Sequence, residues 1–197
     1  MKYCTDHIVV DVEIQRSVED LPGRWNDTHL MGVACAVVYE FNTDRFRLFG
    51  PNDVEALKAR LRAAERISGF NIWNFDFPVI WAQPNRAVVE ELRTKTTDIL
   101  LRIWKELGLS STQFTGAHKG WSLENVVKAT LGVGKILNGA EAPKLFQAGE
   151  HMRLANYCVD DVTLERDLTV FIDRFGYVNN DEKKCKLKFD YPPAPPN

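Results

Sequence analysis

The chain has 197 residues, 45% of them hydrophobic and 26% charged, with a formal net charge of −2. That length is enough to bury a full core within one domain. The near-neutral balance excludes a uniformly basic nucleic-acid coat, so any phosphate-binding surface must be local.

The N-terminal segment Met1–His7 has no signal-peptide h-region, and no apolar run is long enough to span a membrane, which leads to the expectation of a soluble, cytoplasmic protein. Cys4, Cys35, Cys158 and Cys185 show no CxxC spacing and read as isolated reduced thiols rather than a disulfide framework. Residues 7–13 read as a buried strand. Residues 15–30 are polar, contain Pro22-Gly23, and predict an irregular excursion over one side of that strand's end. Leu30 to Glu40 and Arg45 to Phe49 predict two more strands joined at Asn42-Thr43-Asp44, so the first three strands form an antiparallel meander.

Asn52 followed by Glu55 has the pattern of a capping box, opening a helix to about Arg66 whose apolar face is Val54, Leu57, Leu61 and Ala64. Ile67 to Phe70 is a fourth, parallel strand. Helices are then expected from Phe75 to Ala82, from Asp98 (an N-cap) to Leu107, and from Ser122 to Gly132. Residues 134–149 are Gly- and Ala-rich, a loop with one helical turn after Pro143. A long helix follows from Glu150 to Arg174, stopped by Gly176. Residues 1–180 therefore form one α/β domain, and residues 181–197, rich in Lys and Pro, form a tail without regular structure.

Periodicity pairs the acidic residues. In a strand, alternate residues share a face, so Asp11 and Glu13 project together while Val10 and Val12 turn the other way. In a helix, residues four apart are neighbours, which places Tyr157 beside Asp161. Asp76 opens a helix just after a parallel strand, where α/β sheets build their sites. Three elements can thus aim Asp11, Glu13, Asp76 and Asp161 into one crevice. Hard oxygen ligands that repel one another suit Mg²⁺ or Mn²⁺.

In their order and setting these residues resemble the DEDD superfamily of 3′→5′ exonucleases over almost the whole chain. Val10-Asp11-Val12-Glu13 matches the first motif. Gly69-Phe70-Asn71-Ile72-Trp73-Asn74-Phe75-Asp76 matches the second, in the form found in proofreading domains of family-B DNA polymerases. Tyr157-Cys158-Val159-Asp160-Asp161 matches the third, with the tyrosine that marks the DEDDy branch. Trp121-Ser122-Leu123-Glu124-Asn125 through Thr130-Leu131-Gly132 is similar to small stand-alone members from bacteria and phages, some joined to helicases.

The resemblance implies a ribonuclease H-like fold, with a mixed sheet antiparallel over its first three strands and then parallel. It also implies a two-metal-ion hydrolase acting on single-stranded 3′ ends in DNA repair or replication, with DNA slightly favoured over RNA and a replication or helicase partner. Asp11, Glu13 and Asp161 would hold one Mg²⁺ or Mn²⁺. Asp11, with Asp76 through water, would hold the second, and Tyr157 would orient the attacking water. Asn71 and Phe75 would touch the terminal nucleotide, and His118 and Lys119 the phosphates. Plainer readings stand beside these: turn chemistry for Asn71, core packing for Phe75 and a solvated loop for His118 and Lys119. On the same fold, the alternatives are a structure-specific endonuclease or ribonuclease, and a degenerate module that only binds nucleic acid.

Overall fold

The fold is built outward from one apolar strand. The computed structural model describes residues 6–82, 86–109, 118, 120–134, 139–181 and 183–187. Strand β1 (His7–Ile14) is buried on both faces, the state of a central strand. It pairs antiparallel with β2 (Val33–Glu40), setting Ile8 opposite Glu40 and Glu13 opposite Cys35. Strand β2 pairs antiparallel with β3 (Arg45–Phe49). In the turn between them Asp44 has φ +53°, a conformation Asp tolerates, and its carboxylate accepts the Tyr39 hydroxyl at 2.7 Å. The meander is as the sequence predicts, except that β2 starts at Val33, because residues Arg24–Leu30 wind into a 3₁₀ helix.

Strands β4 (Arg66–Gly69) and β5 (Thr96–Asp98) add in parallel, giving the order β3-β2-β1-β4-β5. Pairing of β1 with β4 ends at Val9 and Ser68, yet β1 runs on to Ile14 beside β2. The chain that leaves β4 therefore runs beside the edge of β1 that β4 no longer pairs. Gly69 permits the close approach there: a Cβ would lie 3.1 Å from the Val10 carbonyl oxygen.

Helices cover both faces of this mixed five-stranded sheet. Helices α1 (Val54–Ala63), α2 (Asp76–Trp81) and α3 (Arg86–Arg93) flank the face where Ile8, Val10 and Val12 meet Leu57, Leu61, Phe77 and Leu92. After α4 (Ile99–Glu106) and α5 (Leu123–Leu131) come α6 (Ala142–Gln147) and α7 (His151–Phe175), which cover the opposite face through Leu145, Leu154, Tyr157 and Val162. Helices α4 and α5 and the far half of α7 close a further core around Phe70 and Trp104. No described helix is long and apolar enough to cross a membrane.

Several boundaries differ from those predicted. Helix α1 does not begin at an Asn52 capping box. Residues Gly50 to Asp53 close a turn, in which the Asp53 carboxylate accepts the Gly50 N–H at 2.9 Å, and Glu55 pairs with Lys58. The helix stops at Ala63 because Ala64 turns to extended backbone and Arg66 already belongs to β4. Helix α3 and strand β5 were not predicted. Residues 184–186, expected to lack regular structure, form strand β7 (Lys184–Lys186) paired with β6 (Tyr177–Asn179). Cys185 and Leu187 drive this pairing by burying themselves in the α4–α5 core, while the lysines face outward. The Pro-rich remainder, 188–197, lies outside the described residues.

Candidate active site

Alternation along β1 sorts its side chains. Val10 and Val12 enter the α1–α2 core, Val9 enters the core under α7, and Asp11 and Glu13 share the Val9 face. Helix α7 turns a stripe of Leu154, Tyr157, Cys158, Asp161, Val162 and Glu165 toward the protein interior, three and four residues apart. Tyr157 and Asp161 therefore sit one turn apart on the buried side, and Asp161 is 4% exposed. Asp160 lies on the half-buried flank.

Asp11, Glu13 and Cys158 each offer a donor atom within 4.8 Å of the other two. The Cys158 thiol lies 3.5 Å from the Asp11 carbonyl oxygen and 3.7 Å from its Oδ2. Asp76, the first residue of α2, enters from the other side of β1. Its Oδ1 accepts the Val12 N–H at 3.0 Å, the position β4 vacates when it leaves β1.

The electrostatics tie these groups together. Burial, and then the Asp11 charge, raise the Asp76 carboxyl well above its ordinary value, against the opposing pull of the N–H bonds it accepts. Burial also raises the Tyr157 phenol, helped by the charges of Asp161, Glu13 and Asp11, and its hydroxyl hydrogen-bonds Asp161. The Cys158 thiol is driven up by burial, by its hydrogen bond with Cys35, and by Asp11 and Glu13. Without a metal it is an S–H group at neutral pH.

Asp11, Glu13 and Asp161 thus all act on Tyr157, and Asp11 makes ionisation of the buried Asp76 costlier. A divalent cation relieves that cost. Asp11 and Glu13 offer the hard carboxylate oxygens that Mg²⁺ and Mn²⁺ take, with the softer Cys158 sulfur beside them.

The other predicted residues lie in different settings. Asn71 has φ +65°, and its side-chain oxygen accepts the Asn74 amide at 3.1 Å, so it builds the turn ahead of Asp76. Phe75 is half-buried at the start of α2 and packs against the α1–α2 core. His118 is half-buried with its ring 6.3 Å from that of Trp104, and burial lowers its pKa. Lys119 lies outside the described residues. Sequence reasoning had no role at the site for Cys158, although it sits between Tyr157 and Asp161 in the third motif. Nor did it anticipate Cys35, whose pairing opposite Glu13 depends on strand register. The chain matches no family model and no curated protein.

Proposed function

We propose that this chain is a metal-dependent 3′→5′ exonuclease of single-stranded nucleic acid, DNA ahead of RNA, on a ribonuclease H-like fold of the DEDDy type. One observation carries the reading: Asp11 and Glu13 of β1 and Asp161 of α7 all act on the Tyr157 phenol, and Asp11 also acts on the buried Asp76 of α2. Packing alone does not call for an acid at Asp11 that makes ionisation of the buried Asp76 costlier.

Asp11, Glu13 and Asp161 would hold one Mg²⁺ or Mn²⁺, and Asp11 with Asp76 a second. Bound there, the ions supply an acidified water and neutralise charge on the scissile phosphate. Tyr157 is too weak an acid to exchange protons at neutral pH, so it is no general base. With its hydrogen given to Asp161, its oxygen remains an acceptor that can orient the attacking water. Phe75 and Asn71, on the loop ahead of Asp76, would touch the terminal nucleotide, and His118 and Lys119 would be the residues that reach its phosphates.

The test is digestion of 5′-labelled single-stranded DNA and RNA of one sequence, with Mg²⁺, Mn²⁺ or EDTA. A ladder shortening from the 3′ end with either metal and absent in EDTA is expected. Discrete internal products would replace the reading by an endonuclease, and binding without cleavage by a degenerate module.

A further inference from the structure

We infer that Asp98, from the far edge of the sheet, is a positioning residue for the metal-binding loop as well as a helix cap. Its place in the fold follows from register. Asp98 ends β5 directly opposite Gly69, the last residue of β4, so its side chain stands beside the loop that leaves β4 for Asp76. It is 4% exposed and collects backbone donors from two elements. Oδ1 accepts the Asn71 N–H at 3.0 Å and the Leu101 N–H at 3.1 Å, and Oδ2 accepts the Trp73 N–H at 3.1 Å.

The Leu101 bond is an ordinary N-cap for α4. The other two are not capping bonds, because they hold alternate amides of the Asn71–Phe75 loop. Inside that loop the Asn71 carbonyl accepts the Asn74 and Phe75 N–H groups at 3.2 and 3.0 Å, and the Ile72 carbonyl accepts Phe77 N–H at 2.9 Å. Asn71 is the left-handed residue on which the turn pivots. Asp98 therefore grips the loop at its pivot, and Asp76 grips β1 through the Val12 N–H at the other end. Only four residues lie between pivot and carboxylate, so little slack remains. Freeing Asn71 and Trp73 would let Asp76 wander relative to Asp11, and a misplaced carboxylate is a weaker ligand even when the fold survives.

Serine separates the two roles. At an N-cap it still accepts the Leu101 N–H, but it is too short to span to the loop and offers one oxygen where two are used. Asparagine keeps Oδ1 and loses only the acceptor for Trp73. The inference rests on the exonuclease reading, so the experiment reads metal binding apart from cleavage. Free Mn²⁺ is followed by electron paramagnetic resonance, and single-turnover digestion of a 5′-labelled oligonucleotide is followed at saturating Mn²⁺, for wild type, Asp98→Ser and Asp98→Asn.

The expected result is weaker Mn²⁺ binding in the order wild type, Asn, Ser. The rate at saturating metal should fall about 3- to 10-fold for Asn and about 30-fold or more for Ser, with the oligonucleotide KM little changed. A structural cap alone would lower the melting temperature and leave Mn²⁺ affinity and rate at wild-type values, which would overturn the inference. Should Asp98→Ser show no cooperative unfolding, Asp98→Asn decides by the same criteria. Wild type that neither binds Mn²⁺ nor cleaves would end the exonuclease reading, and this inference with it. Wild type that does both while the variants match it ends this inference alone.

Discussion

Two acidic clusters lie at opposite ends of β1, and they solve the problem of charge in opposite ways. At its N-terminal end, on the α1 face, Arg60 bonds Asp6 through both terminal nitrogens at 2.9 and 2.6 Å and Glu40 through Nε at 2.7 Å, and Thr43 also donates to Glu40. Burial pushes the Glu40 carboxyl up, but the bonds from Arg60 and Thr43 and the Arg60 and Arg47 charges outweigh it, so the carboxyl sits below its ordinary value. At the C-terminal end Asp76, coming from α2, is raised by burial and by Asp11, a second acid. One cluster is neutralised from within the chain and supports the fold. In the other, the Asp11 charge adds to the cost of ionising the buried Asp76, a cost that a cation bound there would lower.

The strongest break in that comparison should come from Asp161. On the exonuclease reading, Asp161→Asn should cost at least about 10³-fold in rate, since it would remove a charge from the ligand set of the first metal. Single-turnover digestion with saturating Mg²⁺ checks this, with Asp160→Asn as the control that should stay near wild type. Reversed results would place the third motif one residue earlier.

At the other end, Arg60→Ala should lower unfolding stability by about 2–4 kcal/mol, because Glu40 and Asp6 lose a partner that is itself mostly buried. Mn²⁺ should restore none of that loss, whereas Asp11→Asn should leave the metal-free protein no less stable than wild type. Urea titration in EDTA and in Mn²⁺ measures both. A metal-free Asp11→Asn destabilised as much as Arg60→Ala would mean that the two clusters are alike.

Tyr157→Phe is gentler, because the ring stays packed under β1 and β2 and only the hydroxyl goes. A loss of roughly 10- to 100-fold is expected, about 1.4–2.7 kcal/mol of barrier. A wild-type rate would assign the ring to packing and leave the water to another group.

How much of this was legible in the sequence depended on how local each signal was. The β1 alternation and the four-residue step from Tyr157 to Asp161 are periodic within one element, and both carboxylates and tyrosine emerge where the period puts them. The same holds for the ends of α5 and α7, marked by Ser122, Gly132 and Gly176. Strand β5 was hidden because Thr96-Thr97-Asp98 is short and polar, and it becomes a strand only by pairing with β4. Helix α3 did leave a trace, Val88 and Leu92 four residues apart and both buried. Strand β7 was masked by its lysines, although Cys185 and Leu187 alternate with them. The second role of Asp98 could not be read at all. Its bonds to Asn71 and Trp73 cross 27 and 25 residues and exist only once β4 and β5 are in register.

The smallest expected effect is a slope with pH, and its sign differs between the clusters. Glu40 has a folded value below its ordinary 4.5, so it contributes stability above that pH and loses it as pH falls through the folded value. Asp76 has a folded value well above 3.8, so the folded state holds its proton more tightly than the unfolded chain does. Stability therefore drops as pH rises from about 3.8 through the folded value, then levels off. Asp98, raised to about 6 by burial, acts in the same direction, and His7, lowered to about 3 by burial and Arg66, acts against both between there and 6.5. The net slope is a mixture, but the difference between two proteins isolates one group. Asp76→Asn keeps an oxygen for the Val12 N–H and cannot ionise. In EDTA its stability relative to wild type should grow between acid and neutral pH, which a pair of urea titrations resolves. Saturating Mn²⁺ should reverse the ranking, since the ionised carboxylate is the better ligand and binding to the native state alone adds stability. A difference that stayed flat in EDTA would mean that Asp76 ionises there without penalty, and the contrast between the two ends of β1 would then be one of geometry and not of charge.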